Sequence, residues 1–434
     1  MSHPIIDFLR HSPKSYHPGW NQPEFTDWRD EQMSWKTTCY LGDWSFLWEA
    51  RFVGPDALRL FRDTGINSVE KFDIGQAKHL VQCNEQGKVI SDGVLMRLGE
   101  DDFTTQSTTA IWSAYVVSKG GYDVTVTKPD TFQFQVSGPT ALATCQAATG
   151  EDLTDIRFMR FREVQIAGHP VLALRQGMAG EIGFEFHGAA EHAEAVREAI
   201  LTAGEPHGIR RLGRRTAMIN HLEAAFPTGG WHYLADFFSD PEFLPWMLSE
   251  FDLMGLSGSL AGSFVSDNLD DYLSSPVELG WARSIKFDHD FVGRAALEAE
   301  VADPRRVRVT LEWNSDDVVD LYRTMFEDGE VFPQLDIPHN QRWVAWFDSV
   351  RDPSGNEIGV STTPGYSAWA RKVLTLAYLR PEHAVPGTPV EILWGEPGSP
   401  QRLIRAIVAP APYKPDNRRV DLVDAAATST ALSV

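Results

Sequence analysis

Cysteine is scarce in this chain: Cys39, Cys83 and Cys145 are the only three among 434 residues, and they lie far apart. An odd count without a close pair argues against a disulfide framework or a cysteine zinc site, and reads as reduced thiols in a cytoplasm. Long apolar runs are missing too. No stretch approaches the roughly 18 residues that a span needs, so no membrane helix is expected. Basic excess is absent: 39 Lys and Arg against 60 Asp and Glu leave a formal net charge of −21. A polyanion would be repelled, which disfavours nucleic acid or an anionic membrane as partner. A small anion needs only a local basic patch. The opening MSHPIIDFLRHSPKSYHPGW is polar and broken by prolines, so it does not read as a signal peptide. There is no P-loop, no GxSxG, no HExxH and no well-formed GxGxxG.

What is present describes a soluble globular protein, with 43% hydrophobic and 23% charged residues. The length calls for two or three domains. Fourteen Trp is a high count; aromatics mostly fill cores, and a few of these could line a pocket. GPDALRLFRDTG, from 54, reads as a helix closed at Gly65, and VSGPTALATCQAATG, from 136, repeats the grammar of strand, Gly-Pro, helix, Gly. GAAEHAEAVREAILTAG, 188 to 204, is the clearest amphipathic helix, and FVGRAALEAE, from 291, opens another. Short strands dominate 86 to 136 and 163 to 187. A boundary near 303 divides the chain into 1–303, 304–420 and a loosely ordered tail, 421–434.

Three stretches carry chemistry. In GMAGEIGFEFHG, 177 to 188, strand alternation sends Phe184 and Phe186 to one face and Glu185 to the other. In NEQGKVISDG, 84 to 93, a turn leads into a short strand with Asp92 at its end before Gly93. A strand-end acid can accept paired N–H donors from a heterocycle, though turn capping is the commoner use. In SSPVELGWARSIKFDHDFVGR, 274 to 294, Glu278-Leu279-Gly280-Trp281 is expected to lead into a strand. The acidic groups Asp316-Asp317 and Asp288, His289, Asp290 read as solvated turn charge, and no metal is expected.

The order of these motifs, with GIRRLGRRTAMINHLEAAF between the second and third and VSTTPGYSAWARKVLTLAYLRPEHAVPGTPVEI near the end, resembles the aminomethyltransferase family of the glycine cleavage T-protein over roughly residues 20 to 415. PEFTDWRDEQMSW, GSLAGSFVSDNLDDYLSSP, IKFDHDFVGR and EILWGE resemble its branch of tetrahydrofolate-dependent O-demethylases of lignin-derived aromatics. The resemblance implies an α+β, three-domain arrangement: two mixed folate-binding domains, interleaved within 1–303, and a C-terminal β-barrel, around a central folate channel. It implies tetrahydrofolate as cofactor and a small aromatic ether as partner. By the same carry-over Glu185 grips the pterin, and Asp92 lies near the reactive edge. Asn84, Gly183 and Trp281 complete the cofactor site. Asp92, His221 and Asn220 are the catalytic candidates, and Phe46, Trp48, Gln106, Thr108 and Ala217 the substrate pocket.

Three groups of that branch are missing. Ala217 stands where a Tyr is expected, and Phe46 or Leu47 where a His is expected. The run FTTQSTTAIW, 103 to 112, has no Arg to hold a substrate carboxylate. A buried unpaired carboxylate is costly, so the expected substrate is neutral and bulky: a methoxy compound, or a methylenedioxy lignan such as sesamin. The alternatives are an O-demethylase of an aromatic acid of the vanillate or syringate type, a T-protein-like or dimethylsulfoniopropionate-demethylase-like enzyme, and a non-catalytic folate-binding protein. A cytoplasmic monomer or homodimer is expected.

Overall fold

The computed structural model describes residues 3–12, 14, 19, 22–250 and 259–423. Two sheets are woven from one stretch of chain. Strand Tyr40–Asp43 starts a six-stranded sheet; the next five strands build a separate five-stranded sheet; the chain then returns to the first at Thr131–Ser137. Alternation decides which face of the six-stranded sheet is buried. Phe132, Phe134 and Val136 turn to one side together with Phe184 and Phe186 from the paired strand Gly183–Ala189. Helices Ala141–Thr149 and Ala193–Gly204 cover that side with Ala141, Val196 and Ile200. Each buried Phe contributes about 1.5–3 kcal/mol. The in-between residues Gln133, Gln135, Glu185 and His187 therefore share the opposite, polar face, with Glu185 opposite Gln135 and His187 opposite Gln133. The expected amphipathic helix begins only at Ala193, because Ala190–His192 forms a tighter turn.

The five-stranded sheet packs Phe52, Leu80, Leu95 and Phe103 against helices Ala57–Thr64 and Thr108–Ser118. Its strand Val89–Arg97 corrects one expectation. Asp92 is not at a strand end but within the strand. Gly93 lets the strand pass close under the helix Thr108–Ser118; a Cβ there would lie 2.4 Å from Thr109 Oγ1.

The third body is a barrel. Strand Val307–Trp313 pairs with both Arg402–Ala409 and Lys372–Leu379 and so closes the sheet. Glu223, fully buried, joins the parts: it accepts from Trp35 Nε1 at 2.8 Å and Ser367 Oγ at 2.6 Å, and meets Lys36.

The expected strand after Glu278 does not form. Ser275 and Glu278 make a reciprocal capping box, with Glu278 N donating to Ser275 Oγ at 3.2 Å and Ser275 N donating to Glu278 Oε2 at 2.9 Å. That box winds the segment into turns, followed by a 3-10 turn at Ala282–Ser284. The tail expected from 421 is anchored at its start, since Leu422 is buried in the core beneath the six-stranded sheet; residues 424–434 lie outside the described residues. No helix among the described residues is long and apolar enough to cross a membrane.

Candidate functional site

The polar face of the six-stranded sheet and the strands bearing His79 and Asp92 open onto one cavity of about 1140 Å³. Residues 224–247 and 280–286 supply much of its remaining wall. Glu185, Asp92, Trp281, His221, Phe46, Trp48, Gln106 and Thr108 all line it.

Glu185 is held by one oxygen. Oε1 accepts from Gln135 Nε2 at 2.8 Å and from Gln176 Nε2 at 2.7 Å. Oε2 is buried without a hydrogen-bond partner among the described residues; His187 Nε2 stands 3.6 Å away. Burial alone would lower the His187 imidazole, but the carboxylates of Glu185 and Glu49 outweigh it and hold its pKa raised. A buried carboxylate oxygen with no donor is costly, so the site is built to receive one.

Asp92 has both oxygens engaged. Oδ2 lies 3.0 Å from His79 Nε2, and Oδ1 accepts from the Tyr233 hydroxyl. Burial, then the adjacent Asp92 charge, push the Tyr233 phenol well above its usual value, so it stays protonated and donates. His79 is clamped edge-on by Trp281, with ring centroids 4.8 Å apart. His221 stacks on Trp44 at 5.3 Å and shares Nδ1 with Thr228 Oγ1 at 2.9 Å. Burial pushes its pKa down to about 3, so its imidazole is neutral over the physiological range.

Two walls differ in kind. Trp48, Ile111, Phe237, Leu244 and Met247 form an apolar wall. Elsewhere Lys78, Arg283, Lys286, Arg418 and Arg419 bring positive charge to the lining of a strongly acidic chain. The last two arrive on the C-terminal strap, which Arg175 ties down through the carbonyls of Arg418 and Val420.

Four sequence candidates stand outside the cavity lining. Asn84 accepts from Lys88 N within the turn at 2.9 Å and donates to the distant Asp236 Oδ2 at 2.6 Å. Gly183 is a packing glycine, whose Cβ would lie 2.8 Å from Gln176 O. Asn220 donates to the Tyr40 hydroxyl at 3.1 Å and accepts from His221 N. Ala217 packs among Trp35, Tyr40 and Leu212, so its small size widens no pocket. His79, Tyr233, Gln135 and Gln176 were not found by sequence reasoning.

Residues 8–236 match the GCVT N-terminal domain family. The chain is 34% identical to a syringate O-demethylase of Sphingobium sp., covering 94% of this chain and 93% of that protein. It is also 34% identical to a sesamin methylene transferase of Sinomonas sp., covering 90% and 89%. An aminomethyltransferase of Lysinibacillus sphaericus is 29% identical, covering 79% and 88%. The fold is similar to the glycine cleavage system aminomethyltransferase T from Bartonella henselae, with a TM-score of 0.67 at 19% identity, covering 92% and 93% of the two chains.

Proposed function

This chain belongs to the GCVT family of tetrahydrofolate-dependent one-carbon transferases, and from that premise we propose that its carbon donor is a neutral, multi-ring aromatic ether. The one-carbon unit would be a methoxy or methylenedioxy group of a lignan- or lignin-derived compound such as sesamin, and the product a phenol or catechol. One observation carries the reading: a single cavity joins a carboxylate oxygen without a hydrogen-bond donor among the described residues to a wall built from Trp48, Ile111, Phe237, Leu244 and Met247.

Tetrahydrofolate fits the first feature. Its pterin presents adjacent N–H groups, which suit the open Oε2 of Glu185. The lining cations Arg283, Lys286, Arg418 and Arg419 suit its carboxylate tail. When bound, it supplies the nitrogen that accepts the carbon. The chain's own part is to hold the two partners in register, a positioning effect potentially worth about 7 to 11 kcal/mol. The volume of about 1140 Å³ exceeds the roughly 300–1,000 Å³ of a single-ligand pocket, which favours two occupants at once. Gln106 and Thr108 offer an amide and a hydroxyl to ether oxygens but no charge for an acid.

The rival reading is an O-demethylase of an aromatic acid, favoured by the cations in the lining and by the similarity to a syringate O-demethylase. The test is tetrahydrofolate-dependent turnover of vanillate, syringate, guaiacol and sesamin side by side. The neutral compounds should be used and the acids poorly. Efficient use of the acids alone overturns the neutral-substrate reading.

A further inference from the structure

We propose that His79 is the acid that protonates the departing aryl oxygen; this deepens the ether reading above and rests on it. The leaving oxygen needs a proton, and neither Asn220 nor His221 is placed to give one. Asn220 is tied to Tyr40 outside the cavity lining. His221 is buried against Trp44 and stays neutral.

His79 is differently placed. It lies on strand Ala77–Cys83, opposite Val94 on the neighbouring strand, so Asp92 is its diagonal neighbour on the same face. Asp92 Oδ2 holds Nε2 at 3.0 Å. Asp92 cannot swing away, because Tyr233 holds its other oxygen. A carboxylate bound to one ring nitrogen fixes the tautomer and stabilises the imidazolium, which frees the second nitrogen for proton transfer. That second nitrogen, Nδ1, makes no hydrogen bond among the described residues, and the side chain lines the cavity with 22% of its surface exposed. Trp281 and Phe226, at 4.8 and 5.6 Å between centroids, fix the ring and keep its surroundings apolar.

The proton count balances. The bond between carbon and aryl oxygen breaks, and its electron pair stays on oxygen. A proton from His79 Nδ1 turns that oxygen into a phenol. The carbon forms its new bond to the carrier's nitrogen, which gives up its own proton. One proton is gained at oxygen and one lost at nitrogen, so His79 is restored without net uptake, with Asp92 holding the imidazole throughout.

The test varies the acidity of the leaving phenol. Wild type, His79→Gln and His79→Ala are assayed with tetrahydrofolate and methoxyarenes carrying either no activating group or a nitro group. For unactivated ethers the variants should lose about 10²- to 10⁴-fold in kcat. For nitro-substituted ethers, whose phenolates leave without help, the loss should be far smaller. Tetrahydrofolate affinity, read by fluorescence titration, should be unchanged in His79→Gln, which reports an intact fold. Equal losses on every ether make His79 structural and overturn the proposal. Wild type supplies a check needing no variant: a rate that already climbs steeply with leaving-group acidity means that no proton arrives, and overturns it too. If wild type turns over neither these methoxyarenes nor sesamin, the ether reading fails and this proposal with it. Turnover by wild type with unimpaired variants removes His79 alone.

Discussion

Glu185 and Asp92 face the same cavity from two different sheets, and their oxygens are satisfied in opposite ways. Glu185 rests on two side-chain amides through Oε1 and leaves Oε2 without a hydrogen-bond donor among the described residues. Asp92 has both oxygens occupied by groups that carry protons, His79 and Tyr233. A third carboxylate, Glu278, marks the structural extreme. It is fully buried, with Arg306 Nε at 2.6 Å and Arg305 Nε at 3.1 Å on Oε1. Three buried or half-buried acids thus divide by what completes them: a ligand, a proton network, or fixed cations. The difference separates binding from chemistry and chemistry from folding.

The largest effect should fall on turnover when Asp92 is changed. Asp92→Asn keeps the shape but removes the charge that holds His79 and Tyr233. We expect kcat to fall about 10²- to 10⁴-fold, with tetrahydrofolate affinity altered only a few-fold. Single-turnover product formation measures the first, and titration the second. An unimpaired rate would reduce Asp92 to a packing residue and dissolve the contrast with Glu185.

Next comes Glu278. Glu278→Ala removes the carboxylate shared by Arg306, Lys88 and Arg305, leaving Asp271 as the remaining ion-pair partner of Arg305, and should cost about 3–5 kcal/mol in denaturant unfolding. Burial would raise this carboxyl, but Arg306, Lys88 and Arg305 reverse that and hold its pKa at about 2. In the unfolded chain it titrates near ~4.3. The folded pKa is the lower one, so the stabilisation is complete above the unfolded value and is lost as pH falls from there toward 2. Glu278→Gln should therefore flatten the stability profile in that window. A profile of unchanged slope would remove the ion cluster from the account.

Glu185→Gln should weaken tetrahydrofolate binding by about 1.5–3 kcal/mol, roughly tenfold to a hundredfold, through loss of a charge-assisted pair. Turnover at saturating tetrahydrofolate should fall far less. Binding at wild-type strength would place the pterin elsewhere in the cavity.

Much of the fold was legible because it rests on short-range rules. The Phe-Glu-Phe alternation put Glu185 on the polar face, and the Gly-Pro helices lie where their punctuation put them. The His79–Asp92 pair was not legible, and the reason is one residue. The hairpin around Gly87 pairs Cys83 with Val89, and a straight count from there sets Asp92 opposite Leu80, on the core face. A β-bulge between Gln82 and Cys83 shifts the register, so Asp92 stands opposite Val81 and on the His79 side. No local signal announces that bulge. Ala217 failed for a related reason. Its place in a motif did not say which side of the helix Arg214–Glu223 it would take, and that side faces Trp35 and Tyr40. Gln176 immediately precedes the glycine-rich stretch that starts at Gly177, where sequence gives no pairing partner at all.

The smallest effect tests whether Glu185 works by its charge or by its aim. Gln176 Nε2 donates to Oε1 at 2.7 Å, beside the parallel bond from Gln135 at 2.8 Å. Gln176→Met is close in volume and removes only the donor. Oε1 keeps its bond from Gln135, so the carboxylate stays in place and only its orientation loosens. One neutral-partner hydrogen bond contributes about 0.5–1.5 kcal/mol net, so tetrahydrofolate affinity should fall roughly twofold to tenfold. That is clearly less than the loss on removing the charge. The ordering of the two variants is the informative quantity, because both are read by the same titration in the same fold. A loss from Gln176→Met as large as that from Glu185→Gln would mean that direction governs binding, and that the amide pair, not the open oxygen, sets the affinity of this wall.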